Sequence, residues 1–214
     1  MIIRHIGHAE FLMETEKGMR IVTDPYDEGC GYPVKRIKTD SVLVSHGHHD
    51  HNAVDTLEGV TTVIDKAGEY TPAPGVRVTA VTSFHDDEKG SKRGETLLFL
   101  VETEGLRIVH LGDLGCMPEE EQIRLLAKPD VLMIPVGGFY TINGKMARKV
   151  AEKLQPRVTL PMHYKTKYNA EWPISGPEEF LEGEPEDDIR REIEILRITD
   201  RDLSCQPRFA LFKA

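Results

Sequence analysis

The sequence predicts a mixed α/β (α+β) fold in which strands dominate the first half and helices enter later. Three observations carry this. Apolar runs at residues 1–6, 10–14, 19–23 and 42–44 are short and punctuated by Gly7, Lys17-Gly18 and Asp24-Pro25, as strands are. Two later stretches, 118–127 and 145–154, read as helices. Four strand-like runs each stop at a residue type that ligates metals: 42–44 before His46, 76–82 before His85, 106–111 before Asp113 and 158–162 before His163. Side chains gathered from distant strand ends are how a β scaffold builds a site.

The elements follow in order. After the first three runs, residues 27–38 hold Gly29, Gly31 and Pro33 and read as an irregular loop. Residues 42–44 are a buried strand, and 52–57 a short helix starting at the histidines. Residues 61–65 and 76–82 alternate as strands, with Pro72 and Pro74 between them. Residues 83–94 form a polar loop closed by glycine. Residues 96–102 and 106–111 make a hairpin around Glu104-Gly105. The first helix has Pro118 at its start, acids at 119–121 and apolar Ile123, Leu125 and Leu126. The second has basic residues towards its end and stops before Pro156. Between them, 131–136 is a buried strand ending in Gly137-Gly138. Residues 165–186, rich in Pro, Gly and acids, are a surface excursion, and 192–198 and 207–213 are closing strands.

Bulk properties narrow the function classes. A chain of 214 residues suits one domain spanning 1–214, with enough length for a sizeable core. The net charge of −9 argues against a nucleic-acid surface. No apolar run approaches the ~20 residues that span a bilayer, so no membrane association is expected. The N-terminus has no signal-peptide pattern. Cys30, Cys116 and Cys205 are odd in number and far apart, which points to free thiols and a cytoplasmic setting.

The most informative stretch is Ser45-His46-Gly47-His48-His49-Asp50-His51, with four histidines and an aspartate in six positions. Imidazoles and a carboxylate crowded together are relieved by a cation, and these ligands suit zinc, manganese or iron. The spacing places His46 with His48 and leaves Asp50 and His51 as a second pair, which suits two adjacent metals better than one.

The order His46-x-His48-x-Asp50-His51, followed by His85, Asp113 and His163, resembles the metallo-β-lactamase superfamily. Further matches are Gly7-His8-Ala9-Glu10-Phe11, Thr23-Asp24-Pro25, Gly112-Asp113-Leu114-Gly115, Pro135-Val136-Gly137-Gly138 and Pro161-Met162-His163-Tyr164. They are similar to a small branch that includes the L-ascorbate-6-phosphate lactonase and Zn-dependent hydrolases of β-lactamase fold. The resemblance implies a four-layer αββα sandwich with metals at one edge between two sheets. It implies one metal on His46, His48 and His85, a second on Asp50, His51 and His163, and Asp113 bridging them. Zinc is the first expectation, with manganese or iron compatible. A hydroxide held between the metals would attack a carbonyl or phosphoryl centre, with Asp50 orienting it.

Several residues keep two readings. His8 contacts substrate or protonates a leaving group, or is a hydrogen-bonded loop histidine. Asp24 holds a ligand imidazole or the motif backbone, or makes a simple Asp-Pro turn. Asp86 and Asp87 support the site or form a solvated acidic loop. Tyr140, Tyr164, Lys165, Lys167 and Arg93 bind substrate, or are packing aromatics and surface cations. Trp172 covers the pocket or anchors a subunit contact, since a homo-oligomer is open. His49 points outward, His5 and His110 are structural, and Cys116 lies near the site without ligating. The expected function is a dinuclear metal hydrolase acting on a small anionic or ester-like molecule, such as a lactone or phosphodiester. The alternatives are a metal-dependent nuclease, disfavoured by charge, and a non-catalytic metal-binding protein.

Overall fold

The computed structural model describes residues 1–199 and 206–213, so Cys205 lies outside the described residues. In chain order its strands begin with β1 (Ile2–Gly7), β2 (Glu10–Glu14), β3 (Arg20–Thr23), β4 (Ile37–Lys38), β5 (Ser41–Leu43), β6 (Leu57–Glu58) and β7 (Thr62–Ile64). They continue with β8 (Gly68–Ala73), β9 (Val76–Phe84), β10 (Glu95–Thr103), β11 (Leu106–His110), β12 (Val131–Pro135) and β13 (Val158–Met162). The last are β14 (Ile189–Ile193), β15 (Leu196–Arg197) and β16 (Phe209–Phe212). The helices are α1 (Glu120–Leu126), α2 (Gly144–Leu154) and α3 (Glu178–Leu181).

Two mixed sheets result. One has the order β15-β1-β2-β3-β5-β7 and the other β14-β16-β13-β12-β11-β10-β9-β8, with β4 and β6 as a separate ribbon. The two-residue alternation of strands divides their side chains between layers. From β10, Leu97, Phe99 and Val101 enter the core between the sheets, where Ile3, Phe11, Ile21 and Leu43 meet them. Leu98 and Leu100 face the other way, onto a second cluster that takes in Leu126 of α1, Val150 and Leu154 of α2, and Phe180 of α3. Each large apolar side chain so enclosed contributes about 1.5–3 kcal/mol. The outer face of the six-stranded sheet buries Leu12, Val22, Val42 and Leu57 against thinner cover, including Ile37 and Val54. The sandwich therefore has two sheets, a helical layer on one side and a slight layer on the other.

Local chemistry accounts for the element boundaries. Glu104 and Gly105 both take positive φ, as a two-residue β10–β11 hairpin demands. Asn143 caps α2 by accepting from the Met146 N–H, and Glu119 with Gln122 forms a capping box on α1. Four expectations need correction. Residues 52–57 are not an α-helix: one 3-10 turn, Val54–Thr56, forms before the chain enters β6. Pro72 and Pro74 do lie between β7 and β9, but an unforeseen strand, β8, intervenes and runs through Pro72. It can do so as an edge strand with a register shift between Tyr70 and Ala73. The 27–38 loop contains a 3-10 turn, Glu28–Cys30, capped by Asp27, and the short strand β4. The excursion at 165–186 includes α3, whose Phe180 and Leu181 are buried.

Candidate metal centre

The ends of β5, β9, β11 and β13 converge at one edge of the sandwich, joined by the turn after β1. Asp24 organises the first of these ends. Fully buried, it accepts hydrogen bonds from the Ser45 N–H at 2.7 Å and the Ser45 hydroxyl at 2.8 Å, and its Oδ2 lies 3.0 Å from His51 Nδ1. One carboxylate thus fixes both the entry to the histidine stretch and a ring within it, uniting the two functions foreseen for it. Gly115 governs another approach. A Cβ there would come within 2.2 Å of the Asp86 nitrogen, so only glycine lets the Asp113 loop lie against His85. His163 and His8 are tied directly, with the His163 N–H donating to the His8 carbonyl at 3.1 Å.

The predicted ligand residues come together. His46, His48 and His85 form one group, and His46, His51 and Asp113 another. Asp50, His51 and His163 form a third that also takes in His8; within each group the candidate ligand atoms lie within 4.8 Å of one another. Asp113 spans the cluster: Oδ1 lies 3.2 Å from His51 Nε2, and Oδ2 lies 3.3 Å from His85 Nε2 and 3.2 Å from His163 Nε2. His8 Nε2 lies 3.3 Å from Asp50 Oδ2. Sequence reasoning placed His8 at substrate rather than among ligand types, and the missing signal was its ring contact with His163, at 4.1 Å between centroids.

The electrostatics are polarised. Burial, with His163 alongside, pushes His8 down to about 3. Burial, with His51 nearby, does the same to His46. Burial also lowers His85 and His110. For His51, burial alone would act downward, but the Asp113 and Asp24 carboxylates lift it well above the usual imidazole range. Burial opposes ionisation of Asp113, yet His163 and His51 hold its carboxyl well below the usual range. His8, His46 and His85 are therefore held neutral with lone pairs to offer, and Asp113 is charged, which is the state a cation requires.

Ligand fit can be judged on hydrogen bonding. Among the described residues, ten buried side-chain polar atoms have no hydrogen-bond partner, and eight belong to this cluster: both ring nitrogens of His8, His51 and His163, Nδ1 of His85 and Oδ1 of Asp113. Buried polar atoms are normally paired. The close distances from these imidazoles to Asp50 and Asp113 lack hydrogen-bond geometry, and the donor set of imidazole nitrogen and carboxylate oxygen suits divalent zinc, manganese or iron. The residues fit the implied metals.

A cavity of about 300 Å3 opens onto the cluster. His48, Asp50, His85, Asp113 and His163 line it from the protein side, and His49, Arg93, Tyr140 and Trp172 complete its wall. Trp172 stands 5.3 Å from the His8 ring and covers it. The structure brings Tyr140 to the cavity but not Tyr164 or Lys165, which line a separate groove with Lys167, Arg191 and Lys213. The reason is geometric: β13 ends at Met162, His163 turns the chain through a left-handed backbone, and the Tyr164 side chain is buried in the cluster beneath the helices. His49 is exposed and pairs with Asp27 at 2.8 Å. His110 is buried, its Nε2 3.0 Å from the Ala9 carbonyl. Cys116 belongs to none of the ligand groups.

A two-sheet sandwich with a His/Asp cluster open to a cavity at one edge defines a metal-dependent hydrolase, and the comparisons agree. Residues 2–163 match the Beta-lactamase superfamily domain. The chain is 31% identical to a UPF0173 metal-dependent hydrolase of Archaeoglobus fulgidus, over 92% of this chain and 96% of that one. A crystal structure from Thermotoga maritima, of a metallo-β-lactamase superfamily protein, superposes with a TM-score of 0.78. It is 34% identical and covers 99% of this chain and 97% of its own. Igni18, a metallo hydrolase of Ignicoccus hospitalis, shares the fold at a TM-score of 0.60 with 23% identity, over 77% of this chain and 82% of its own. The chain belongs to the metallo-β-lactamase superfamily.

Proposed function

We propose that this hydrolase is dinuclear and acts on a small anionic or ester-like molecule, such as a lactone or phosphodiester. His46, His48 and His85 would hold one cation, and Asp50, His51 and His163 the other, with Asp113 between them; zinc is the first candidate. The observation that carries the reading is the convergence of the Nε2 atoms of His51, His85 and His163 on the Asp113 carboxylate, beneath an open cavity. Bound there, two divalent cations supply Lewis acidity and bring the pKa of water towards about 7.

The chain's own residues then divide the work. Asp50 faces the cavity and is placed to orient the attacking water and accept its proton. His8 is fully enclosed and does not line the cavity, so its part is played through Asp50, which it touches at 3.3 Å. Tyr140 and Trp172 wall the cavity and limit access of bulk water. Openness to solvent favours catalysis over a closed structural site. The cavity volume and the net charge of −9 favour a small molecule over a polynucleotide. Free Cys30 and Cys116 agree with a cytoplasmic setting for one catalytic domain.

The test is a panel of lactones, phosphodiesters and thioesters offered to zinc- and manganese-loaded protein. Hydrolysis that disappears in His48→Ala and Asp113→Ala, together with two bound ions in the parent, supports the reading. Two bound ions with no turnover on any ester class would sink it.

A further inference from the structure

Of the cations foreseen for substrate binding, Arg93 is the one at the cavity wall. Its guanidinium carbon lies 5.7 Å from the centroid of the Tyr140 ring, also at that wall. Among the described residues no carboxylate lies at ion-pair distance from it, although its neighbour Lys92 is engaged by Glu88 at 2.7 Å and Asp87 at 3.3 Å. A half-buried guanidinium without a carboxylate retains donors to offer.

Its position is fixed by the backbone. The buried Asp86 carboxylate, adjacent to His85, accepts from the N–H groups of Glu88 and Gly90 through Oδ1 and of Lys92 and Arg93 through Oδ2, at 2.8–2.9 Å. The His85 N–H donates to the Gly94 carbonyl at 3.0 Å, closing the loop. Arg93 is therefore held in register with His85 rather than displayed on a free surface loop.

Charge balance gives this placement a direction. The carboxylates lining the cavity are Asp50 and Asp113, and two divalent cations outweigh them. Arg93 adds a further positive charge, so a pocket in an acidic protein selects negative ligands. A guanidinium presents paired donors that match carboxylate or phosphate oxygens. We propose that Arg93 is a specificity-determining residue that grips an oxyanion on the substrate, carboxylate or phosphate, beside the bond to be cleaved. This deepens the hydrolase reading and rests on it for the identity of the reaction.

Two measurements test it on the full chain loaded with zinc. The first compares 4-nitrophenyl acetate with the anionic mono-4-nitrophenyl glutarate. In Arg93→Met the ratio of kcat/KM for the anionic ester to that for the neutral one falls at least about ten-fold, mainly through KM, and Arg93→Lys recovers part of it. A ratio unchanged in Arg93→Met overturns the proposal. The second needs no turnover. Trp172, the chain's single tryptophan, stands in the cavity wall and reports binding by fluorescence. Glutarate and inorganic phosphate are titrated separately, and Arg93→Met weakens the preferred oxyanion about ten-fold or more at unchanged zinc content. Equal affinities in parent and variant for both anions refute it. Arg93-dependent binding with neither ester cleaved would retire hydrolysis of these esters while keeping the anion site. Cleavage indifferent to Arg93 would do the reverse.

Discussion

Replacing Asp24 by asparagine changes one atom of the side chain and is expected to move a proton on His51. In the native protein Oδ1 accepts from the Ser45 N–H, while Oδ2 faces the Ser45 hydroxyl at 2.8 Å and His51 Nδ1 at 3.0 Å. When a cation takes the place of the Nε2 proton that the raised His51 otherwise carries, a carboxylate there keeps the remaining proton on Nδ1 and leaves the Nε2 lone pair for the cation. Nε2 is the cluster-facing nitrogen, 3.2 Å from Asp113 and 3.7 Å from Asp50. In Asp24→Asn the remaining oxygen is required by the Ser45 N–H, so an amide NH2 faces His51. That group donates, so Nδ1 must accept and the proton moves to Nε2. A protonated Nε2 cannot hold a cation. Losses of this kind cost about 10–100-fold in metal affinity, equivalent to about 1.4–2.7 kcal/mol. The assay is zinc titration against a chromophoric chelator, with ions counted by elemental analysis and the His51 tautomer read from nitrogen-15 NMR. Asp24→Ala, which strands two Ser45 donors as well, should lose more. Parental zinc affinity in Asp24→Asn, with the His51 proton still on Nδ1, would refute the reasoning.

Two further outcomes follow from the same structure. Burial raises Glu10 from 4.5 to about 8, so the native carboxyl keeps a proton that the unfolded chain releases across that window. Stability therefore falls as pH rises from about 4.5 through 8, by on the order of 3–5 kcal/mol from this group. At fixed metal loading, urea unfolding should show Glu10→Gln gaining on the parent as pH rises from 5 to 9; parallel pH profiles would contradict this. Zinc at about 100 times its Kd should add about 2.7 kcal/mol per site, or roughly 5–10 °C in Tm for a chain of this size, and a chelator should reverse it. A Tm indifferent to both zinc and chelator would speak against a cation in the cluster.

Much of the site was legible because its residues are punctuation. His46, His85, Asp113 and His163 each stop an apolar run, and a strand that ends in a ligand type announces itself in one dimension. The hairpin at Glu104-Gly105 was legible for a similar reason: its backbone demands positive φ, and that demand limits the residues that can sit there. The less legible features depend on direction rather than type. Tyr164 follows a site histidine directly, yet the left-handed turn at His163 and the packing of its ring among core residues take it away from the cavity. Arg93 and Lys92 are adjacent cations, and only the placement of Glu88 and Asp87 shows that Lys92 is engaged. Pro72 in β8 misleads in the opposite sense, since proline is excluded from central strands but accepted at a sheet edge.

The backbone shows why strand ends can serve as a metal cradle here. His8, Asp24 and His163 all adopt left-handed backbone, with φ of 52°, 41° and 51°. Such a conformation costs a non-glycine residue roughly 1–2 kcal/mol. Glycine would relieve that cost at each position, but it would delete the imidazole or carboxylate. The turn has a geometric use: a strand continuing straight would point alternate side chains to either face, whereas a left-handed residue at its end redirects the chain abruptly. Two of these residues belong to different sheets, since His8 follows β1 and His163 follows β13, and they are joined by the 3.1 Å bond from the His163 N–H to the His8 carbonyl. The same carbonyl is 3.0 Å from His5 Nε2. Strain is thus held where the sheets are stitched together, and the core packed between them resists its release. The cluster inherits its geometry from that seam, so changes at His5 should loosen the site without touching any candidate ligand.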